Sequence, residues 1–191
     1  MAVDPKSSLF QAILSMDSYN RGYYEGVKIV EGVNVVGSKL GATTIIQQSD
    51  FIAGTQGVRE GFYAIAYEYK YMEGGEEKTE TFISYRGTDQ FLTANGVGGD
   101  IVNSYDVGAG VADTPQSRLA IEFYKSVAAA INANNADPYA ANITVTGHSA
   151  GGGLAGLVGA IYGKQGVLFD NMAFQNAAND NAVRRCVVAA G

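Results

Sequence analysis

The 191-residue sequence contains one cysteine, Cys186, one histidine, His148, three prolines and no tryptophan. A single thiol excludes an internal disulfide and any zinc site built on several cysteines. Positive charge is also scarce: 13 Lys and Arg stand against 19 Asp and Glu, a net charge of −6. Nucleic-acid binders use clustered cations to displace counterions from phosphate, so that class of partner is not expected. No run of about 18 uninterrupted apolar residues occurs, which argues against a membrane-spanning helix. The segment Met1 to Ser8 carries one Asp, one Lys and one Pro, and Gln11, Ser15 and Asp17 break the apolar run that follows. A cleaved secretory signal needs a basic start and a continuous apolar core, so none is expected here. Cytoplasmic residence and export by a route independent of such a signal both stay open.

What the chain does have is apolar content, 47% of residues against 17% charged, and 25 glycines. That composition buries a sizeable core, and the length fits one domain over 1–191. Asp4-Pro5 can open a helix whose stripe is Leu9, Phe10, Ile13, Leu14 and Tyr19, ending near Arg21-Gly22. Val27 to Gly61 is Gly-punctuated and β-branched, as in short strands and turns. Phe62 to Tyr71 and Thr79 to Tyr85 read as a β-hairpin turning at Gly74-Gly75. The charges at its tip, Glu73, Glu76, Glu77, Lys78 and Glu80, fit a solvated turn better than a carboxylate site. Thr114-Pro115 opens a second helix with Leu119, Ala120, Phe123, Tyr124, Val127, Ala128 and Ile131 on its apolar face. Asn142 to Thr146 reads as a strand, Ala150 to Gly163 as a helix and Met172 to Ala177 as a further strand. This alternation predicts an α/β fold with a mostly parallel central sheet, flanking helices and an antiparallel hairpin on the N-terminal side.

Two motifs carry chemistry. Gly147-His148-Ser149-Ala150-Gly151 has the G-x-S-x-G pattern, with the strand Ile143 to Thr146 before it and a glycine-rich helix after it. In that context the serine sits on a sharp strand-to-helix turn, where only glycine leaves room on either side. The helix start offers unpaired N–H groups and a partial positive charge beside a developing oxyanion. The second motif, Arg86-Gly87-Thr88-Asp89, closes the strand Phe82 to Tyr85 upstream.

Together these motifs, the hairpin, the long helix before the serine and the segment Ser15-Met16-Asp17-Ser18-Tyr19-Asn20 resemble the bacterial class 3 lipases of the α/β-hydrolase superfamily. The likeness runs over nearly the whole chain. It implies a carboxylic ester hydrolase acting on lipid or acylglycerol esters through an acyl-serine intermediate, with no metal or organic cofactor. Ser149 would be the nucleophile, and the N–H groups of Thr88 and Ala150 would form the oxyanion hole. Asp89 would brace the Thr88 loop, Arg86 would hold the strand end by salt bridging, and His148 would support the turn. The resemblance also places a lid within Gln90 to Asn103, where Phe91, Leu92, Val97 and Ile101 are apolar and Gly96, Gly98 and Gly99 offer hinges.

The pattern then breaks. A serine hydrolase needs a base, usually histidine, oriented by a carboxylate and following the serine in this superfamily. No histidine follows Ser149, and the only downstream carboxylates, Asp170 and Asp180, do not fall where the acid belongs. His148 is adjacent to the serine, and adjacent side chains diverge. Three readings follow. The chain is the N-terminal part of a longer enzyme that carries the acid and base, a second chain supplies them, or the scaffold is a noncatalytic binding or interaction module. With final strands missing, Met172 to Ala177 would lie at a sheet edge and invite pairing, so a homodimer is an expectation.

Overall fold

In the computed structural model of the chain the described residues are 4–5, 7–19, 34–49, 61–87, 92–93, 96–97, 114–132 and 137–179. Helix α1 spans Ser8–Asp17, one turn later than the expected start. Ser7, not Asp4, is its N-cap: the Ser7 hydroxyl accepts from the Phe10 N–H at 3.2 Å, while Asp4 closes the preceding turn by accepting from the Ser7 N–H. The helix stops at Ser18 rather than near Arg21-Gly22.

Six strands form one sheet: β1 (Lys39–Leu40), β2 (Thr43–Gln48), β3 (Ala64–Glu73), β4 (Glu76–Tyr85), β7 (Ile143–His148) and β8 (Gly166–Phe169) in the order β1-β2-β3-β4-β7-β8. Between β4 and β7 a small separate pair, β5 (Leu92–Thr93) and β6 (Gly96–Val97), lies inside the segment expected to be a lid. The expectation of a mostly parallel sheet is corrected: β1, β2, β3 and β4 pair antiparallel, and only β4-β7 and β7-β8 are parallel. Short turns connect antiparallel neighbours, whereas a parallel pair needs a crossover element. Among the described residues the crossover elements are α2 (Pro115–Ile131), between β4 and β7, and α3 (Ala150–Tyr162), between β7 and β8. The hairpin is as expected, with Gly74 at φ 62° and Gly75 at φ 86° supplying the left-handed turn. Thr114 caps α2 by accepting from the Ser117 N–H at 3.1 Å, and Pro115 opens the helix.

The segment Met172 to Ala177 is not a strand. Its end forms the short helix α4 (Gln175–Ala178), and the Met172 N–H goes to the Ser149 carbonyl instead of a ladder. The apolar Met172 and Phe174 that imitate a strand serve α3, since a Cβ on Gly156 would strike the Phe174 ring and one on Gly153 would lie 3.5 Å from Met172 Cβ. Among the described residues the edge of the sheet on this side falls on β8, where the Gln11 carboxamide of α1 accepts from the Val167 N–H at 2.9 Å.

The sheet has a core on each face. Ala64, Ala66, Ile83, Tyr85, Ile143 and Val145 meet α2 and α3 on one side. Ile65, Tyr67, Tyr69 and Phe82 meet Phe10 and Leu14 of α1 on the other. Strand alternation explains the division, because successive residues of β3 and β4 point to opposite faces. Beneath α1 the Tyr67 hydroxyl donates to the buried Asp17 carboxylate at 2.8 Å.

The helix side of the core is rich in buried phenols. Tyr124 and Tyr162 stack at 4.3 Å, and burial, helped by the neighbouring phenols, raises the pKa of Tyr85, Tyr124 and Tyr162 above the ordinary 10.0. In the unfolded chain these groups ionise near 10, so above that pH the unfolded state binds fewer protons and stability falls. Urea unfolding at a series of pH values should show stability dropping above about pH 10, and Tyr124→Phe should make the drop shallower. Parallel curves for the two proteins would contradict a folded-state phenol held neutral at Tyr124.

Candidate active site

β4, β7 and β8 run parallel, so their C-terminal ends lie together, and both motifs sit on those ends. Tyr85 pairs with Gly147, and His148 pairs with Phe169. Ser149 follows β7 at φ 56° and ψ −124°, a conformation that costs a non-glycine residue roughly 1–3 kcal/mol. Three backbone hydrogen bonds hold it there. The Ser149 N–H donates to the Phe169 carbonyl at 3.0 Å, and the Ser149 carbonyl accepts from Gly153 and Met172, each at 3.1 Å.

The glycines around the serine are spacers for backbone rather than for ligand. A Cβ on Gly147 would overlap the Gly151 carbonyl and lie 2.8 Å from the Gly152 nitrogen. One on Gly151 would strike the Tyr85 carbonyl and sit 2.7 Å from the Gly87 nitrogen. One on Gly87 would reach the His148 carbonyl at 2.5 Å, Ser149 Cβ at 3.3 Å and the Tyr19 hydroxyl. The start of α3 is thus pressed directly onto the end of β4, and Gly87 borders the serine.

Ser149 is half-buried, and among the described residues its hydroxyl has no hydrogen-bond partner. Ala150 is the first residue of α3, so its N–H has no acceptor within the helix. Arg86 is buried: its Nη2 donates to the Gly61 carbonyl at 3.0 Å, and its guanidinium lies 5.5 Å from the centre of the Tyr63 ring. These contacts fix the strand end just before Gly87. Thr88, Asp89, Asp180, Cys186 and most of the expected lid segment lie outside the described residues.

His148 is exposed, and its imidazole meets Tyr19, just past the end of α1. Nδ1 is 3.1 Å from the Tyr19 hydroxyl, which also donates to the His148 carbonyl at 3.3 Å. The rings meet edge to face at 5.9 Å. Asp170, the residue after β8, is exposed and has φ 44°. The motif reading thus assembles Arg86, His148, Ser149 and Ala150 in one place. It gave no site role to Tyr19, whose partner is 129 residues away. The one signal was its place in the Ser15 to Asn20 segment that supported the family resemblance.

The spacing gives a graded test. Gly151→Ala drives a methyl into the backbone of β4 and should destabilise the fold by about 2 kcal/mol or more, measured by urea unfolding. Gly153→Ala meets the Met172 carbonyl at 3.3 Å and gains about 1 kcal/mol of helix propensity, so it should stay within about 1 kcal/mol of the parent. Equal costs would contradict the close seating of the serine turn on β4.

No curated protein and no solved structure matches the chain. The family described as Lipase (class 3) matches residues 43–175, more than half of the sequence, and the match takes in β2 to β4, both motifs, α3 and β8. The chain belongs to the class 3 lipase family.

Proposed function

We propose that Ser149 is the nucleophile of a carboxylic ester hydrolase acting on lipid or acylglycerol esters, with the N–H groups of Thr88 and Ala150 as its oxyanion donors. The observation that carries this reading is the strained backbone of Ser149 at the junction of β7 and α3. The serine stands at the start of a helix, half-buried and beside Gly87. Thr88 follows Gly87 directly in the chain, which supports its N–H as the second donor.

In this mechanism Ser149 Oγ attacks the ester carbonyl carbon and loses its proton to a base. The negative charge that collects on the carbonyl oxygen is met by the two backbone donors, each worth roughly 3–4 kcal/mol where such groups have been removed. The alcohol leaves with a proton, and water then releases the acid from the acyl-serine. The role of Arg86 is to hold the end of β4, and that of Asp89 is to brace the Thr88 loop.

The base is the missing part. The only histidine in the sequence is His148, its imidazole is held by Tyr19, and among the described residues no hydrogen bond joins it to the Ser149 hydroxyl. Without a base the serine hydroxyl is a weak nucleophile at its free pKa, so acyl transfer to Ser149 in this chain alone is slow. The lack of a hydrogen-bond partner for the Ser149 hydroxyl among the described residues favours a second reading, a noncatalytic lipase-like module that binds a hydrophobic ligand or partner.

Hydrolysis of p-nitrophenyl butyrate by the chain and by Ser149→Ala separates these readings. The expected result is a slow rate, well below the typical enzyme turnover of about 10 s⁻¹, that Ser149→Ala removes. Fast turnover lost in Ser149→Ala would overturn the missing base. Identical rates in the two proteins would favour the noncatalytic module.

A further inference from the structure

The contact between Tyr19 and His148 joins the end of α1 to the residue that precedes the nucleophile. A phenol hydroxyl has one proton to donate and lone pairs with which to accept. Both of its contacts with His148 are satisfied at once in one arrangement. The hydroxyl donates to the His148 carbonyl at 3.3 Å and accepts from Nδ1–H at 3.1 Å.

We propose that Tyr19 is a positioning residue of the nucleophile turn, clamping the carbonyl and the imidazole of His148 and holding the neutral ring as its Nδ1–H tautomer. The functional part of this inference rests on the reading of Ser149 as the nucleophile.

The clamp acts where position matters most. The His148 carbonyl belongs to the peptide that enters Ser149, whose φ of 56° must be maintained against its intrinsic preference. The hydroxyl also borders Gly87, since a Cβ placed there would strike it and would lie 3.3 Å from Ser149 Cβ. One phenol thus touches the ends of both strands that carry the motifs.

Tyr19 is itself placed by α1. The Gln11 carboxamide holds α1 to β8 through the Val167 N–H, and the Asp17 carboxylate accepts from Tyr67 on β3. The Tyr19 N–H closes the end of the helix onto the Met16 carbonyl at 3.0 Å. The consequence for His148 is that Nδ1 carries the proton and points to Tyr19. Nε2 is then the proton-accepting nitrogen of the ring.

Two measurements on the full chain and Tyr19→Phe test the clamp. Because the sequence has one histidine, nitrogen-15 NMR of the neutral imidazole reports on His148 without assignment ambiguity. The parent should show Nδ1 as the protonated nitrogen, and Tyr19→Phe should shift the ring toward the mixed tautomers of a free imidazole. Ser149-dependent hydrolysis of p-nitrophenyl butyrate should fall about tenfold or more in kcat, with KM within about twofold. The melting temperature should stay within a few degrees, which a loss of fold would not allow.

An Nε2–H ring in the parent, or an unchanged tautomer in Tyr19→Phe, overturns the clamp. So does an unchanged kcat where Ser149→Ala abolishes activity. If Ser149→Ala leaves the rate unaltered, the nucleophile reading fails, and the NMR comparison still decides the Tyr19 contact by itself.

Discussion

The structure turns on the backbone of one residue. Ser149 is held in a conformation that a serine does not choose, by one hydrogen bond to the end of β8, one from the first turn of α3 and one from Met172. Each of those bonds requires the neighbouring elements to be close. The glycines at 147, 151 and 87 supply that closeness, since a methyl at any of them would meet main-chain atoms. Main chain has nowhere to move when the same atoms belong to the central strands, so the junction is rigid by construction.

The two faces of the sheet serve the junction differently. On the α2 and α3 side, aliphatic and tyrosine side chains fill the core, and α3 seats its glycines on β4, β7 and the segment after β8. On the α1 side the cover is polar near the site, with Gln11, Asp17 and Tyr19 reaching β8, β3 and the residue before Ser149. A polar cover fixes orientation more narrowly than an apolar one, because each bond has a direction. α1 and the residue Tyr19 just past its end therefore border the turn at Ser149.

Much of this was legible in the sequence, where the signals are local. Gly74-Gly75 between alternating residues specifies the β3-β4 turn, Thr114-Pro115 specifies the start of α2, and the glycines flanking Ser149 specify a strand-to-helix turn. The failures are places where distant contacts decide. Met172 and Phe174 alternate like a strand but are recruited by α3, and Ser7 outcompetes Asp4 as the cap of α1. The sense of the sheet was misread because the chemistry-bearing strands are the parallel ones, while β1 to β3 turn back on one another. Tyr19 offered no local signal for its partner across the fold.

The strained backbone, the helix start and the neighbouring strand end gather around Ser149, and the lone histidine of the sequence contacts Tyr19. A serine built for nucleophilic attack should differ from the chain's other serines even when proton transfer is slow. Prolonged incubation with a fluorophosphonate probe, followed by peptide mass spectrometry, tests this most directly. The account predicts a single covalent adduct, located on Ser149. An adduct on another serine, or an unmodified Ser149 after incubation that labels the chain elsewhere, would contradict it.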